Sequence, residues 1–287
     1  MRNRVLGLVL LAAIAAAGLY AYTTRAGASA ESSAMPRLSN GHPDLNGYWY
    51  RRLPPLTPVR KEGASIILDP DAPRDHLPPS GNDDELLPGF PNYKPEFLDR
   101  VKELRDKQVL YDPAYTCGPP GVPRIGPPQR ISQNEREVVI LYDDLSGNFW
   151  RVIPTDGRPH RTSRPPNLAG LTDRLPIDPS PHGDSVGRWE GDTLVIDVRN
   201  LTDDTWLGDG GMFHTGNARV IERLTREGNT LTWQATVEDP EVLAEPWKMN
   251  PRTLTLRADD DEIEEAAFCE DRDMPLKQDL SYHRNVR

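Results

Sequence analysis

Residues Pro181 to Val198 read P-H-G-D-S-V-G-R-W-E-G-D-T-L-V-I-D-V, and this stretch decides the fold. Ser185 to Glu190 and Thr193 to Val198 are short runs rich in Val, Ile, Thr and Trp, separated by Gly191. A glycine between two such runs supplies the positive φ that a tight hairpin needs. On the second run Leu194, Ile196 and Val198 share one face, while Thr193, Val195 and Asp197 share the other. The next strand-like run starts only after Arg199 to Gly216. Structureless connections longer than about 12–15 residues are usually functional or disordered. This one carries Leu201, Trp206, Leu207, Met212 and Phe213, so it reads as an ordered flap, with Gly208, Gly210 and Gly211 letting it fold back. It also holds Asp203, Asp204, Asp209 and His214. These either face a site or belong to a packed loop in which the acids cap turns and His214 is exposed.

Outward from the hairpin, the pattern stays β. Glu137 to Tyr142 and Asn148 to Ile153 form a hairpin around Ser146-Gly147. Asn217 to Thr225 and Asn229 to Glu238 form another, with Leu231, Trp233, Ala235 and Val237 expected inward and Thr230, Thr232, Gln234 and Thr236 outward. Arg252 to Ala258 and Glu262 to Cys269 make a last hairpin around three aspartates, and Tyr48 to Tyr50 is a short first strand. Together these give about nine strands joined mostly by short turns. That is a mainly β, antiparallel meander closing into a lipocalin-like barrel or a sandwich. One helix is expected after Pro95, with Phe97, Leu98, Val101 and Leu104 on its apolar stripe, lying across the sheet or closing one end of the barrel. Prolines recur from Pro54 to Pro91, so that segment should wrap the surface, pinned at Ile66, Ile67 and Leu68.

Arg2 and Arg4 precede an apolar run from Val5 to Tyr22, followed by Ala28-Ser29-Ala30. This is the layout of a secretory signal peptide, with an uncleaved N-terminal anchor as the alternative. The expected organisation is a leader at 1–30, a proline-rich wrapping segment with the helix at 31–110, and a β domain at 111–287 that folds as one unit with it. The expected location is the periplasm or outside the cell. In such a compartment the two cysteines, Cys117 and Cys269, are expected to form a disulfide. The net charge of −10 argues against nucleic acid and against an anionic membrane surface as partners. A small-molecule ligand or substrate remains, with no membrane association beyond the possible anchor.

Four chemistries fit the central stretch. The leading one is a cofactor-independent acid–base site for a lyase, isomerase or hydrolase acting on a neutral or apolar substrate. Asp184 and His214 would be its acid–base pair, Asp197 or Asp203 would orient them, and Arg188, Trp189, Trp206 and His182 would hold the substrate. The rival is a binding protein without chemistry, its barrel mouth lined by tryptophans. A serine hydrolase is suggested by Gly183-Asp184-Ser185, but the G-D-S block of esterases opens a helix and this one enters a hairpin. A metal at His182, Asp184 and His214 lacks closely spaced ligand pairs. No cofactor and no metal are therefore expected, and His42, His76, His160 and His283 read as solitary exposed side chains.

The run G-D-S-V-G-R-W-E-G-D-T-L-V-I-D (Gly183 to Asp197), with Cys117 to Arg124 upstream and Thr205-Trp206, His214 and Glu238-Asp239-Pro240 downstream, resembles a group of exported bacterial proteins of unassigned function. Their motif often has a histidine where this chain has Asp184. The resemblance covers about Pro43 to Cys269. It implies export and one shared fold, and it implies no substrate.

Overall fold

In a computed structural model, residues 35–50, 59–62, 65–68, 89–144, 146–162, 177–257 and 263 are described. The strands are β1 (Gly47–Tyr50), β2 (Val59–Glu62), β3 (Ser65–Leu68), β4 (Arg130–Gln133), β5 (Glu137–Asp144) and β6 (Gly147–Pro154). They continue with β7 (Asp184–Glu190), β8 (Thr193–Arg199), β9 (Arg219–Glu227), β10 (Thr230–Glu238), β11 (Trp247–Lys248) and β12 (Arg252–Leu256). Among the described residues β2 and β3 pair only with each other. The main sheet runs β6-β5-β4-β1-β12-β10-β9-β8-β7, every step antiparallel, with β11 beside β10.

This sheet curls into a nearly closed nine-stranded barrel. An odd number of alternating strands cannot close with antiparallel pairs alone, because the first and last point the same way. Here those are β6 and β7. They pack side by side without a backbone ladder, and the open seam lies between them. Gly187 makes the approach possible, since a Cβ there would stand 2.9 Å from Thr155 and 3.0 Å from Ile153.

The expected single meander is in fact two, β4 to β6 and β7 to β12, joined by β1. Trp49 pairs opposite Leu256 on β12 and Gly47 opposite Ile131 on β4. The architecture therefore departs from a lipocalin, whose barrel has about eight strands. Period-two alternation fills the interior: Leu194, Ile196 and Val198 from β8, Val220 and Leu224 from β9, and Leu231, Trp233, Ala235 and Val237 from β10 are all fully buried. The inward face expected for residues 229–238 is the buried one.

A short helix, Leu98–Asp106, follows a single turn of 3-10 helix at Pro95–Phe97. Val101 and Leu104 are buried, but Leu98 is exposed. The helix covers the flap: a Cβ at Gly211 would lie 2.5 Å from the Val101 carbonyl oxygen. Tyr93 stacks on Phe213 at 5.2 Å between ring centroids and donates to the Phe213 carbonyl, and Arg124 ties Asp209 to the buried Asp112.

Several expectations meet residues outside the described set, among them the leader at 1–30, most of the proline-rich stretch from Pro54 to Pro91, and the histidines His76 and His283. The strand at Glu262 to Cys269 lies there too, Ile263 apart, and so does one half of the expected disulfide. Cys117 is described. Cys269 is not among the described residues, so the expectation of a Cys117–Cys269 bond is corrected: no sulfur–sulfur distance supports it.

Candidate functional site

A cavity of about 430 Å³ opens at the seam between β6 and β7. Alternation along these two strands explains its wall. Arg151 on β6 and Ser185 on β7 point inward, while Trp150, Val152, Asp184 and Val186 belong to the outer face, and both sets line the cavity at the unladdered gap. Ser180, His182 and Gly183, leading into β7, and Arg158, Pro159 and Arg161, leaving β6, form the rim. Gly183 has φ of 64°, and a Cβ there would be 2.5 Å from the Arg199 carbonyl oxygen, so the turn into β7 packs directly against the end of β8.

Behind the inner wall lies a buried polar network. Arg151 and Glu222, from β6 and β9, are nearly inaccessible and stand 2.7 Å apart. Arg151 also donates to Tyr142 Oη at 3.0 Å and to Ser185 Oγ at 2.9 Å, and Trp233 Nε1 donates to Glu222 Oε1 at 2.9 Å. The Ser185 bond spans the seam, so a side chain does there what the backbone ladder does elsewhere. Burial alone would lower the guanidinium pKa, but Glu222 and Tyr142 outweigh it and keep Arg151 charged. Burial pushes the Tyr142 hydroxyl up to about 12. It pushes His182 down to about 4, helped by the nearby Arg151 charge, so His182 is neutral at neutral pH. His182 packs on Phe149 at 5.1 Å. Two buried nitrogens in this region, His182 Nε2 and Arg151 Nε, have no hydrogen-bond partner, although nearly all buried polar atoms find one.

A second cluster lies on the outer face. Asp184 accepts from Arg161 Nε at 2.5 Å and from the Arg161 backbone N–H at 3.1 Å, and its other contact is His160 Nδ1 at 2.9 Å. His160 Nε2 stands 3.6 Å from Asp197, which is held by Arg219 at 2.9 Å and Arg199 at 3.2 Å. Burial works against charge on both carboxylates. Arg161 and His160 nevertheless hold Asp184 below the usual range, and Arg219 and Arg199 hold Asp197 at about 2. Both are ionised anchors that pin the segment after β6 onto β7 and β8.

The structure thus separates the residues expected to act together. His214 is buried in the flap; its Nδ1–H donates to the Thr215 carbonyl and its Nε2 accepts from Thr205 Oγ1, both at 2.9 Å. Its hydrogen bonds are made inside the flap, and the histidine beside Asp184 is His160. Asp203 is exposed on the flap. Trp206 is buried in the flap core, Trp189 stacks on His42 at 4.7 Å, and Arg188 pairs with Glu190 at 2.7 Å. Of the expected site residues, His182 and Asp184 line the cavity. His182, Asp184 and His214 do not gather, and no metal-holding group of three is found among the described residues. Among the same residues no histidine hydrogen-bonds Ser185, whose hydroxyl accepts from Arg151.

The sequence held a signal for the inner pair. Arg151 falls between Phe149 and Ile153, and Glu222 between Val220 and Leu224, each on the apolar face of its strand. A lone base and a lone acid on inward faces of separate strands must find each other or remain unpaired charges. No such signal existed for His160, because nothing local connects it to Asp184.

No protein family, curated protein or solved structure matches the chain. The functional reading therefore rests on the geometry of the seam.

Proposed function

We propose that this chain is a small-molecule-binding barrel whose ligand sits in the seam between β6 and β7. The observation that carries the reading is a cavity of about 430 Å³, within the usual size of ligand sites, backed by buried polar nitrogens that lack partners. A barrel of this kind is compatible with binding or with processing a small molecule. Binding has the stronger support. A general base needs a pKa near the working pH. Asp184 and Asp197 are held low by arginines, His214 is committed within the flap, and burial holds His182 at about 4, far below neutral pH. We also propose, from the leader-like N-terminus and the motif resemblance, that the chain works outside the cytoplasm.

The test uses the purified chain and two fluorescent probes, N-phenyl-naphthylamine and its sulfonated relative anilinonaphthalene sulfonate. At least one should bind saturably at a single site, with energy transfer from tryptophan. Val186→Trp, which places a large ring in the cavity, should abolish that binding. Failure of both probes to saturate, or full binding by Val186→Trp, overturns the reading.

A further inference from the structure

We infer that the seam cavity takes an aromatic oxyanion, a flat ring system bearing a carboxylate or sulfonate group. This rests on the binding reading above and adds the ligand class. The cavity wall is rich in donors and poor in acceptors. In a chain of net charge −10 it gathers three arginines, Arg151, Arg158 and Arg161, and one carboxylate, Asp184.

Each guanidinium has a carboxylate beside it: Glu222 for Arg151, Asp156 for Arg158 and Asp184 for Arg161. The wall is therefore not a bare cationic patch. What distinguishes it is the balance of unused bonding capacity. Both Asp184 oxygens are occupied, Oδ1 by Arg161 Nε and Oδ2 by His160 and the Arg161 backbone. Arg161 spends only its Nε on Asp184, so among the described residues its two Nη groups have no hydrogen-bond partner. Arg158 uses Nε and Nη2 on Asp156, leaving Nη1 without a hydrogen-bond partner among the described residues. Both side chains are at least half exposed at the rim. Guanidinium N–H groups donate only, and their hydrogen bonds to oxyanions are charge-assisted and roughly twice as strong as neutral ones. An acceptor-rich ligand group is the complement.

The aromatic part follows from β6. Trp150 is 67% exposed and Val152 41%, both on the outer face of an edge strand and both lining the cavity. Together they offer a flat apolar face next to the arginine donors, so a ring can lie on Trp150 while its oxyanion reaches Arg158 and Arg161.

The two probes share a ring system and differ by the sulfonate, so they separate the two claims. Anilinonaphthalene sulfonate should bind the native chain at least about tenfold more tightly than N-phenyl-naphthylamine. The double variant R158Q/R161Q should bring the two affinities to near equality, and Trp150→Ala should weaken both. Arg158→Gln alone, which leaves Asp184 and its partners in place, should give part of the loss and serves if the double variant misfolds. Equal affinity for the two probes, tighter binding of the uncharged one, or a sulfonate preference that survives Arg158→Gln and R158Q/R161Q in full overturns the anion inference. In each of those cases the binding reading stands. Failure of both probes to saturate removes the binding reading and this inference together.

Discussion

The two ionic clusters beside the seam are built from the same residue types, yet one lies inside the barrel and the other outside. Arg151 and Glu222 are sealed in, with Tyr142, Ser185 and Trp233 as further hydrogen-bond partners and Arg151 Nε left without one among the described residues. Asp184 and Asp197 sit under a cover of arginines whose own side chains are a third to more than half exposed. The solvent reaching those arginines screens the outer cluster, whereas nothing screens the inner one. The inner pair should therefore govern stability, and the outer cluster the placement of the cavity rim.

The largest effect is expected from breaking the inner pair. Removing one member of a buried ion pair leaves the other charge uncompensated and costs about 3–5 kcal/mol. Glu222→Gln should lower unfolding stability by that order in urea denaturation at neutral pH. An apolar double replacement, Arg151→Met with Glu222→Leu, should recover much of the loss, because it removes both desolvated charges. A Glu222→Gln variant as stable as the native chain would show that the pair is solvated, and the contrast between the clusters would collapse.

What was legible in the sequence follows the same division between local and distant. Gly191 at the turn and the alternation from Leu231 to Val237 are local, and both were readable. Alternation also marked Arg151 and Glu222 as inward. It tells which face a residue occupies but not which strand lies beside it. Hence the place of β1 between β4 and β12, and the seam between β6 and β7, were out of reach. The flap reads as ordered from its apolar residues, but nothing local names its partner: the helix packed on Gly211 reads only as lying across the sheet or closing one end of the barrel. His214 looked like a catalytic histidine because it lies close in sequence to the acids; in space its partners are Thr205 and Thr215.

A smaller effect separates the clusters by pH. His182 is held at about 4, below its unfolded value of about 6.5, so the unfolded chain binds the proton more readily. Its contribution to stability is complete above about pH 6.5 and is lost as pH falls toward 4, with an upper size of roughly 3 kcal/mol. Asp197, held at about 2, follows the carboxylate rule: its contribution is present above the usual aspartate range and is lost as pH falls below about 4 toward 2. Denaturation midpoints measured across these two windows should fall in two steps. His182→Gln should flatten the upper step and leave the lower one. An unchanged upper step in His182→Gln would assign that slope to another group.

The smallest stability effect, and the most local one, is expected at Asp184. Its loss by Asp184→Asn removes charge from the contacts with Arg161 and His160, but Arg161 is more than half exposed, and such pairs contribute about 1 kcal/mol or less. The global stability should therefore hardly move. The backbone N–H of Arg161, which now donates to Asp184, should nevertheless exchange with solvent faster, since its acceptor becomes a weaker, neutral amide oxygen. Amide exchange at Arg161, read against amides of β9 and β10 as internal references, separates the two outcomes. Faster exchange confined to the rim would make the outer cluster a positioning device for the cavity wall. A uniform rise across the barrel would instead make Asp184 part of the frame that holds the sheet, and the distinction between an inner cluster for stability and an outer one for placement would fail.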